Sequence, residues 1–214
     1  MLKAVLFDLD GTFADTAPDL ARALNAMREA RALPPVSIRV TRPVTSLGAR
    51  GMLGVGFDMA PEHAQYPAMR EEFLALYAKN LCVETRVFPG MPDLLARLQE
   101  QGVKWGIVTN KAERFAKPLI RLMGFAEHCA CVIGGDTTAR TKPHPDPLLA
   151  ACRELDIEAS SCAYVGDDAR DIEAGRAAGM KTIAVRYGYL NGGIPDAWGA
   201  DAVVDFPEDI LRHL

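Results

Sequence analysis

The C-terminal half of the chain alternates between short apolar runs and segments whose apolar residues recur every three or four positions. Short apolar runs bounded by turn residues are typical of buried strands, and the longer spacing is typical of helices that pack on one face. We therefore predict strands at 103–108, 129–135, 162–167, 181–187 and 201–206. Between them, the pattern predicts helices at 112–123, 146–155 and 171–179.

The N-terminal apolar run, residues 4–7, adds one more strand to this alternation. Strands that follow one another through helical crossovers lie parallel, because each crossover is right-handed and returns the chain to the same end of the sheet. The pattern therefore predicts an α/β fold with a doubly wound parallel sheet.

Residues 15–88 follow a different pattern, which contains no convincing strand. Helical spacing of apolar residues covers 17–31 and 67–81. Thr16 and Asp19 have the spacing of a capping box at the start of the first of these helices. This part of the chain is therefore predicted to be a helical module.

The turn sequence FPGM at 88–91 marks the return to the alternating pattern. The helical module thus lies between the first strand of the sheet and the remaining strands. We predict two domains, which are a catalytic core formed by 1–14 and 89–214 and a small helical cap, 15–88, inserted after the first strand.

The chain has 214 residues, of which 49% are hydrophobic and 24% are charged, and its net charge is -4 at pH 7. This composition is that of a globular protein with enough apolar material for a core. The basic residues are scattered, so we expect a small-molecule partner and no nucleic-acid or lipid surface. Asp8 interrupts the N-terminal apolar run before a signal peptide would be complete, so we expect a cytoplasmic protein without a membrane span.

Polar side chains follow four of the predicted strands, at the points where the strands end. In chain order they are Asp8, Asp10, Thr109, Asn110, Lys142, Asp167, Asp168 and Asp171. Because the carboxyl ends of parallel strands meet at one edge of a sheet, and ligands bind there, we expect these side chains to lie together. Each residue alone fits a turn or a helix cap, as Asp168 does, but their convergence predicts an active site.

The residue types at this edge suit phosphoryl transfer. Clustered carboxylates repel one another unless a cation lies among them, and oxygen ligands favour Mg2+. Asp8 is placed to attack phosphorus as a nucleophile, and Asp10 is placed to act as general acid and then as general base. Lys142 and Thr109 would neutralise the charge on the phosphoryl oxygens.

These residues resemble the four motifs of the haloacid dehalogenase superfamily of phosphohydrolases, in the same order and over essentially the whole chain. The matching elements are DLDGT at 8–12, Thr109, Lys142 and GDDARD at 166–171. The resemblance implies a Rossmann-like core with a helical cap inserted after the first strand. This implied architecture agrees with the segmentation of the apolar pattern.

The resemblance also implies a set of metal ligands. Mg2+ would be held by the Asp8 carboxylate, the main-chain carbonyl of Asp10 and Asp167. Asp168 and Asp171 would lie behind these ligands, where Asp171 would orient Lys142 or a metal-bound water.

Three further stretches of the chain concern the substrate. Gly11 lets the backbone turn closely around a phosphate, and Thr12 and Asn110 are placed to contact it. The glycine-rich stretch 45–57 resembles the specificity loop in the cap of this superfamily. Arg50, within that stretch, is expected to bind a substrate carboxylate as a bidentate donor.

Departures from the superfamily pattern narrow the activity. Haloacid dehalogenases proper lack the second Asp, so Asp10 favours a phosphorylated substrate. Leu20 stands where the β-phosphoglucomutases carry His, which weakens a phosphotransferase interpretation. The chain is most similar to the bacterial group that contains phosphoglycolate phosphatase and N-acetylmuramic acid 6-phosphate phosphatase. The sequences AVRYGY at 184–189 and DDARDIEAGRAAG at 167–179 resemble the second as much as the first.

We therefore expect a Mg2+-dependent phosphatase that acts through an aspartyl phosphate and most resembles phosphoglycolate phosphatase. N-acetylmuramic acid 6-phosphate or another sugar phosphate is the alternative substrate. A non-enzymatic phospho-receiver domain also gathers Asp, Thr and Lys around Mg2+ on a doubly wound sheet. In a receiver the phosphorylated Asp follows the third strand and no cap is inserted, whereas here the Asp pair ends the first strand.

Overall fold

A parallel sheet with helices on both faces forms the centre of the computed structural model, which describes residues 2–214. The strands are β1 (Ala4–Phe7), β2 (Ala14–Asp15), β3 (Arg86–Val87), β4 (Lys104–Val108), β5 (Val132–Ile133), β6 (Cys162–Gly166), β7 (Lys181–Val185) and β8 (Ala202–Val204). Six of them form the sheet, in the order β5-β4-β1-β6-β7-β8, and all neighbouring pairs are parallel. The predicted fold class is confirmed.

Eight α-helices are found within residues 2–214. They are α1 (Ala17–Glu29), α2 (Ile38–Thr41), α3 (Gly48–Phe57), α4 (Tyr66–Lys79), α5 (Met91–Glu100), α6 (Glu113–Leu122), α7 (Asp146–Leu155) and α8 (Ala169–Ala178). The predicted helix at 146–155 has the bounds of α7, and the one at 112–123 differs from α6 by one residue at each end. Within the same residues, no helix combines the length and the apolar character that crossing a membrane requires.

The side chains of β1 point alternately to the two faces of the sheet. Val5 and Phe7 belong to a hydrophobic cluster that includes the apolar face of α5. Ala4 and Leu6 belong to a second cluster, which includes the apolar faces of α7 and α8. Because helices cover both faces, every residue of β1 is buried, which explains why the sequence of this strand is a continuous apolar run rather than an alternating one.

The register of the central strands brings their carboxyl ends together. Phe7, the last residue of β1, is paired with Ile107 on β4 and with Val165 on β6. The residues that follow each strand therefore leave the sheet side by side at one edge. This register, rather than any local motif, places the N-terminal aspartates beside residues more than a hundred positions away in the sequence.

The segment between β2 and β3 contains the four helices α1 to α4. The sequence pattern predicts no strand within residues 15–88, and that prediction was wrong, because a short strand lies at each end of this range. β2 and β3 form a two-residue antiparallel pair, in which Ala14 pairs with Val87 and Asp15 with Arg86. Two residues are too short to leave a periodic pattern. The division into core and cap domains stays a prediction.

The predicted capping box at the start of α1 was wrong. The Thr16 side chain makes no cap hydrogen bond and donates instead to Asp10 Oδ1. The Asp19 carboxylate is fully buried and accepts hydrogen bonds from the backbone N–H groups of Val83, Glu84 and Thr85. The two residues have the spacing of a cap, but Thr16 binds Asp10, six residues earlier, and Asp19 binds a segment more than sixty residues later.

The glycine-rich stretch 45–57 is helical, not a loop. A 3-10 helix, Arg42–Leu47, leads directly into α3. Glycine is about 1 kcal/mol less favourable than alanine inside a helix, so local propensity opposes this structure. Packing favours it, because a Cβ on Gly56 would collide with Leu24 of α1. Gly56 therefore allows α3 to lie close to α1.

Candidate active site

The loop after β1 turns sharply at Gly11. Gly11 has a φ of +92°, a backbone conformation that favours glycine, and its N–H donates to the carbonyl of Ala14 at 3.0 Å. A Cβ at this position would collide with the carboxylate of Asp167. Glycine is thus required here by the close approach of the loop after β6.

Three buried carboxylates form a cluster at this edge of the sheet. Asp8, Asp167 and Asp171 each offer one oxygen, and these atoms lie within 4.8 Å of one another. Burial and repulsion from Asp8 and Asp171 raise the pKa of Asp167 well above its usual range, and burial raises the pKa of Asp171 to about 6. The cluster is therefore electrostatically unfavourable by itself and suits a cation.

Lys142 supplies one positive charge to this cluster. Its Nζ lies 2.7 Å from Asp171 Oδ1 and 2.9 Å from Asp8 Oδ1, and it donates to the hydroxyl of Tyr164 at 2.8 Å. Burial alone would lower the pKa of this lysine, but the carboxylates of Asp171 and Asp8 raise it above the usual value. The side chain therefore stays charged within the site.

Asn110 holds the backbone of Lys142. Its Nδ2 donates to the carbonyl of Lys142 at 3.0 Å, and its Oδ1 accepts from the N–H of the same residue at 3.0 Å. The amide thus positions the lysine loop, a role that the sequence did not predict, and its contact with substrate stays a prediction. Thr109, the residue before it, is buried, and its N–H donates to Ile133 of β5.

Asp10 is not part of the three-carboxylate cluster, and its carboxylate has other partners. Lys111 Nζ lies 2.8 Å from its Oδ1 and 2.9 Å from its Oδ2, and Thr16 donates to the same Oδ1. The Lys111 ammonium also lies 4.9 Å from the ring centroid of Tyr77, on α4. The sequence analysis did not predict Lys111 as a site residue. Its position directly after Thr109 and Asn110 was the only feature that could have indicated it.

The start of α8 is capped by acidic residues. Asp168 accepts from the N–H of Arg170 at 3.0 Å, and Asp171 accepts from the N–H of Asp168 at 3.1 Å. The Arg170 guanidinium also binds both carboxylate oxygens of Asp168 at 2.8 Å. Burial alone would raise the pKa of Asp168, but these bonds from Arg170 lower it. Asp168 is therefore a helix cap, as its position after the strand suggested.

Asp167 is held by residues from two other loops. Thr12 donates its hydroxyl to Asp167 Oδ1 at 2.9 Å, and the Tyr189 N–H donates to Oδ2 at 2.7 Å. Thr12 was predicted to contact a phosphate, whereas its hydroxyl hydrogen-bonds to Asp167 in the structure. Tyr189 was not singled out from the sequence, although it lies within the AVRYGY stretch.

Two connected cavities open onto these residues. A recess of about 20 Å3 is lined by Asp8, Asp10, Ser46, Thr109, Asn110, Lys111, Lys142, Asp168, Arg170 and Asp171. A larger cavity of about 350 Å3 shares five of these residues with the recess and contains Arg50, which is exposed on α3. The recess thus gathers seven of the predicted site residues, which are Asp8, Asp10, Thr109, Asn110, Lys142, Asp168 and Asp171. Gly11, Thr12 and Asp167 are not among its lining residues, and Arg50 lines the larger cavity.

Comparison with known proteins gives consistent matches over the whole chain. A family model for haloacid dehalogenase-like hydrolases matches residues 5–185. An N-acetylmuramic acid 6-phosphate phosphatase from Pseudomonas aeruginosa is 46% identical over 214 residues, covering 100% of this chain and 95% of that protein. A phosphoglycolate phosphatase from Xanthomonas campestris pv. campestris is 45% identical over 212 residues, covering 97% of this chain and 94% of that protein.

The structural comparison agrees. A crystal structure from Haemophilus somnus 129pt, described as a predicted phosphoglycolate phosphatase, has a TM-score of 0.88 at 27% identity and covers 99% of this chain and 97% of that one. The chain therefore belongs to the haloacid dehalogenase-like hydrolase family. Within that family it is a phosphatase, a hydrolase of phosphoric monoesters. The resemblance seen in its motifs is confirmed.

Proposed function

We propose that this phosphatase hydrolyses a small organic phosphate in a Mg2+-dependent reaction through an aspartyl phosphate on Asp8. The observation that carries the proposal is the meeting of Asp8, Lys142 and the buried carboxylates Asp167 and Asp171 beside one recess. Asp10 borders both this recess and the larger cavity. Phosphoryl transfer needs a nucleophile, a proton donor and neutralised phosphoryl charge, and these groups match those needs.

The carboxylate cluster fits a magnesium ion. Its donors are all oxygens, and the buried Asp8 Oδ1 has the Lys142 ammonium 2.9 Å away as its charged neighbour. The Asp8 carboxylate, the Asp167 carboxylate and the Asp10 carbonyl would hold the ion. Asp171, which belongs to the same cluster, would lie behind these ligands. When bound, Mg2+ would offset the repulsion among the carboxylates and withdraw charge from the phosphoryl oxygens.

Two aspartates perform the two chemical steps of the reaction. The Asp8 carboxylate attacks phosphorus, the bond between phosphorus and the ester oxygen breaks, and that oxygen takes a proton from Asp10. Asp10 then accepts a proton from a water whose oxygen attacks the aspartyl phosphate. The bond between phosphorus and Asp8 breaks, which releases inorganic phosphate and restores the carboxylate.

The remaining residues of the site position these groups. Lys142 lies beside both Asp8 and Asp171, so its ammonium can neutralise the transferred phosphoryl group. Asn110 fixes the backbone that carries this lysine. Thr109 lies at the end of β4 and lines the same recess. We propose that its hydroxyl orients a phosphoryl oxygen.

Two substrates are supported by the relatives, 2-phosphoglycolate and N-acetylmuramic acid 6-phosphate. The sequence analysis favours 2-phosphoglycolate, because the expected enzyme most resembles phosphoglycolate phosphatase. One structural observation favours the second. The cavity next to the recess has a volume of about 350 Å3, which is in the usual range for small-molecule sites and leaves room for more than a two-carbon acid.

The proposal is tested with the variant Asp8→Asn, assayed with p-nitrophenyl phosphate and both candidate substrates. The expected result is a loss of at least about 10³-fold in kcat with an unchanged melting temperature, because only the nucleophile is removed. Activity near the wild-type level in the folded variant would refute an aspartyl phosphate at Asp8. Comparison of kcat/KM for the two substrates in the wild-type enzyme decides between them.

A further inference from the structure

Two arginines in the larger cavity have no acidic partner. Arg50 lies on α3, and Arg114 lies in the first turn of α6, and both line the cavity. Within residues 2–214, neither guanidinium forms an ion pair or a hydrogen bond. Arg114 lies over the ring of Phe115, 4.9 Å from its centroid. An arginine at a protein surface is often free, but these two face a shared cavity from two different segments.

The other charges of the cavity are already balanced. Among the described residues that line the cavity, Asp10 is the only acidic one, and its carboxylate is paired with Lys111. Arg170 is paired with Asp168, and Arg70 lies 2.7 Å from Glu71. The cavity therefore holds uncompensated positive charge at Arg50 and Arg114.

The position of this charge relates it to the leaving group. The recess beside the reacting carboxylates is adjacent to the cavity, because the two share five lining residues, which are Asp10, Ser46, Asn110, Lys111 and Arg170. A phosphoryl group in the recess places the rest of the substrate in the cavity. Arg50 and Arg114 are both exposed, so solvent screens part of their charge, but each guanidinium can still give a carboxylate charge-assisted, bidentate hydrogen bonds.

We infer that Arg114 and Arg50 form a binding subsite for a carboxylate on the leaving group, so that the enzyme selects phosphate monoesters that also carry a carboxylic acid. The inference rests on the proposed function, because it needs the phosphoryl group to lie in the recess. Arg114 is the new member of the site, and its position directly after Glu113 carries no motif that would have predicted it. It adds a donor from the core segment to the donor from α3.

The experiment compares pairs of phosphate monoesters in which one member carries a carboxylate and the other does not. N-acetylmuramic acid 6-phosphate and N-acetylglucosamine 6-phosphate share the same sugar, and the first adds a lactyl ether with its carboxylate. As a second pair, 2-phosphoglycolate is compared with 2-hydroxyethyl phosphate. The variants are Arg114→Gln, Arg50→Gln and the double variant. The control is Arg121→Gln, an exposed arginine farther along α6.

The wild-type enzyme is expected to prefer the acid of at least one pair. Arg114→Gln is expected to raise KM for that acid by about tenfold or more, because a charge-assisted hydrogen bond is lost, and to leave KM for the neutral partner within about twofold. Arg121→Gln is expected to change neither value.

The inference is overturned if the wild-type enzyme prefers neither acid, or if Arg114→Gln affects both members of a pair equally. Hydrolysis of p-nitrophenyl phosphate separates this failure from a failure of the proposed function. If that hydrolysis depends on Asp8 while Arg114→Gln shows no discrimination, the mechanism stands and the subsite alone is wrong. If Asp8→Asn retains full activity, the mechanism itself fails.

Discussion

Tyr189 donates its backbone N–H to Asp167 Oδ2 at 2.7 Å, so the residue that holds one carboxylate of the buried cluster comes from the loop after β7. The phenol of the same residue reaches the start of α1. Its hydroxyl accepts from the N–H groups of Thr16 and Ala17 at 2.7 and 2.9 Å and donates to Asp15 at 2.8 Å. One residue, through its backbone N–H and its phenol, therefore joins the carboxylate cluster to the segment where the chain leaves the sheet for α1.

The variant Tyr189→Phe is expected to lower the free energy of unfolding by about 2 kcal/mol or more, because two backbone N–H groups lose their acceptor in a buried position. Urea denaturation measures this change. The control is Tyr187→Phe, which loses one hydrogen bond to the carbonyl of Thr12 and is expected to lose about 1 kcal/mol. Equal losses in the two variants would contradict the role given to the Tyr189 hydroxyl.

Removal of Mg2+ by a chelator is expected to abolish activity, and excess Mg2+ is expected to restore it, because the acidic cluster would then lack its counter-charge. Mg2+ at about 100 times its Kd is expected to stabilise the protein by about 2.7 kcal/mol. Thermal unfolding with and without the ion measures this gain. Asp167→Asn is expected to reduce it, whereas Asp156→Asn, at an exposed position outside the cluster, is expected to retain it. Full activity in the presence of chelator would refute the metal proposal.

The stability of the metal-free protein is expected to depend on pH through Asp167. Burial and the neighbouring carboxylates raise the pKa of this residue above its unfolded value, so the folded protein binds the extra proton. The stability that this proton contributes is present below about pH 4 and is lost as the pH rises through the folded pKa.

Asp167→Asn removes this titration. The free energy of unfolding of the variant minus that of the wild-type protein is therefore expected to increase as the pH rises above about 4, by up to about 1.4 kcal/mol per pH unit. Urea denaturation in chelator at a series of pH values measures the difference. A difference that stays constant with pH would show that Asp167 has an ordinary pKa in the folded protein.

Lys111→Met is expected to lower kcat by about tenfold or more, because the Asp10 carboxylate would lose the ammonium that binds both of its oxygens in a largely buried position. Steady-state kinetics with p-nitrophenyl phosphate measure the effect. Lys117→Met is the matched control, since Lys117 is exposed on α6 and paired with Glu113. Wild-type kcat in Lys111→Met would show that Asp10 does not depend on this partner.

Much of the core could be predicted from the sequence. The alternation of apolar runs and helical spacing predicted the parallel sheet, because strand and helix periodicity depend on local chain geometry. Asp8, Lys142 and Asp167 could be placed at one edge because parallel strands leave a sheet in the same direction. The motif residue types then predicted phosphate chemistry before any contact was known.

Contacts over long sequence distances could not be predicted in this way. Lys111 and Asp10 are 101 positions apart, and Tyr189 and Asp15 are 174 apart, so no local spacing connects them. The helix α3 also opposes local propensity, and among its glycines Gly56 is explained by its packing against Leu24 of α1.

The sequence by itself determined the class of fold, the order of its elements and the chemistry available at the ends of the strands. The tertiary structure alone decided that Lys111 binds Asp10, that Asn110 holds the backbone of Lys142, and that Arg114 lines the cavity with Arg50. The reason is physical. Periodicity and turn chemistry are set by neighbouring residues, whereas the partner of a buried charge is set by the packing of segments that are distant in the chain.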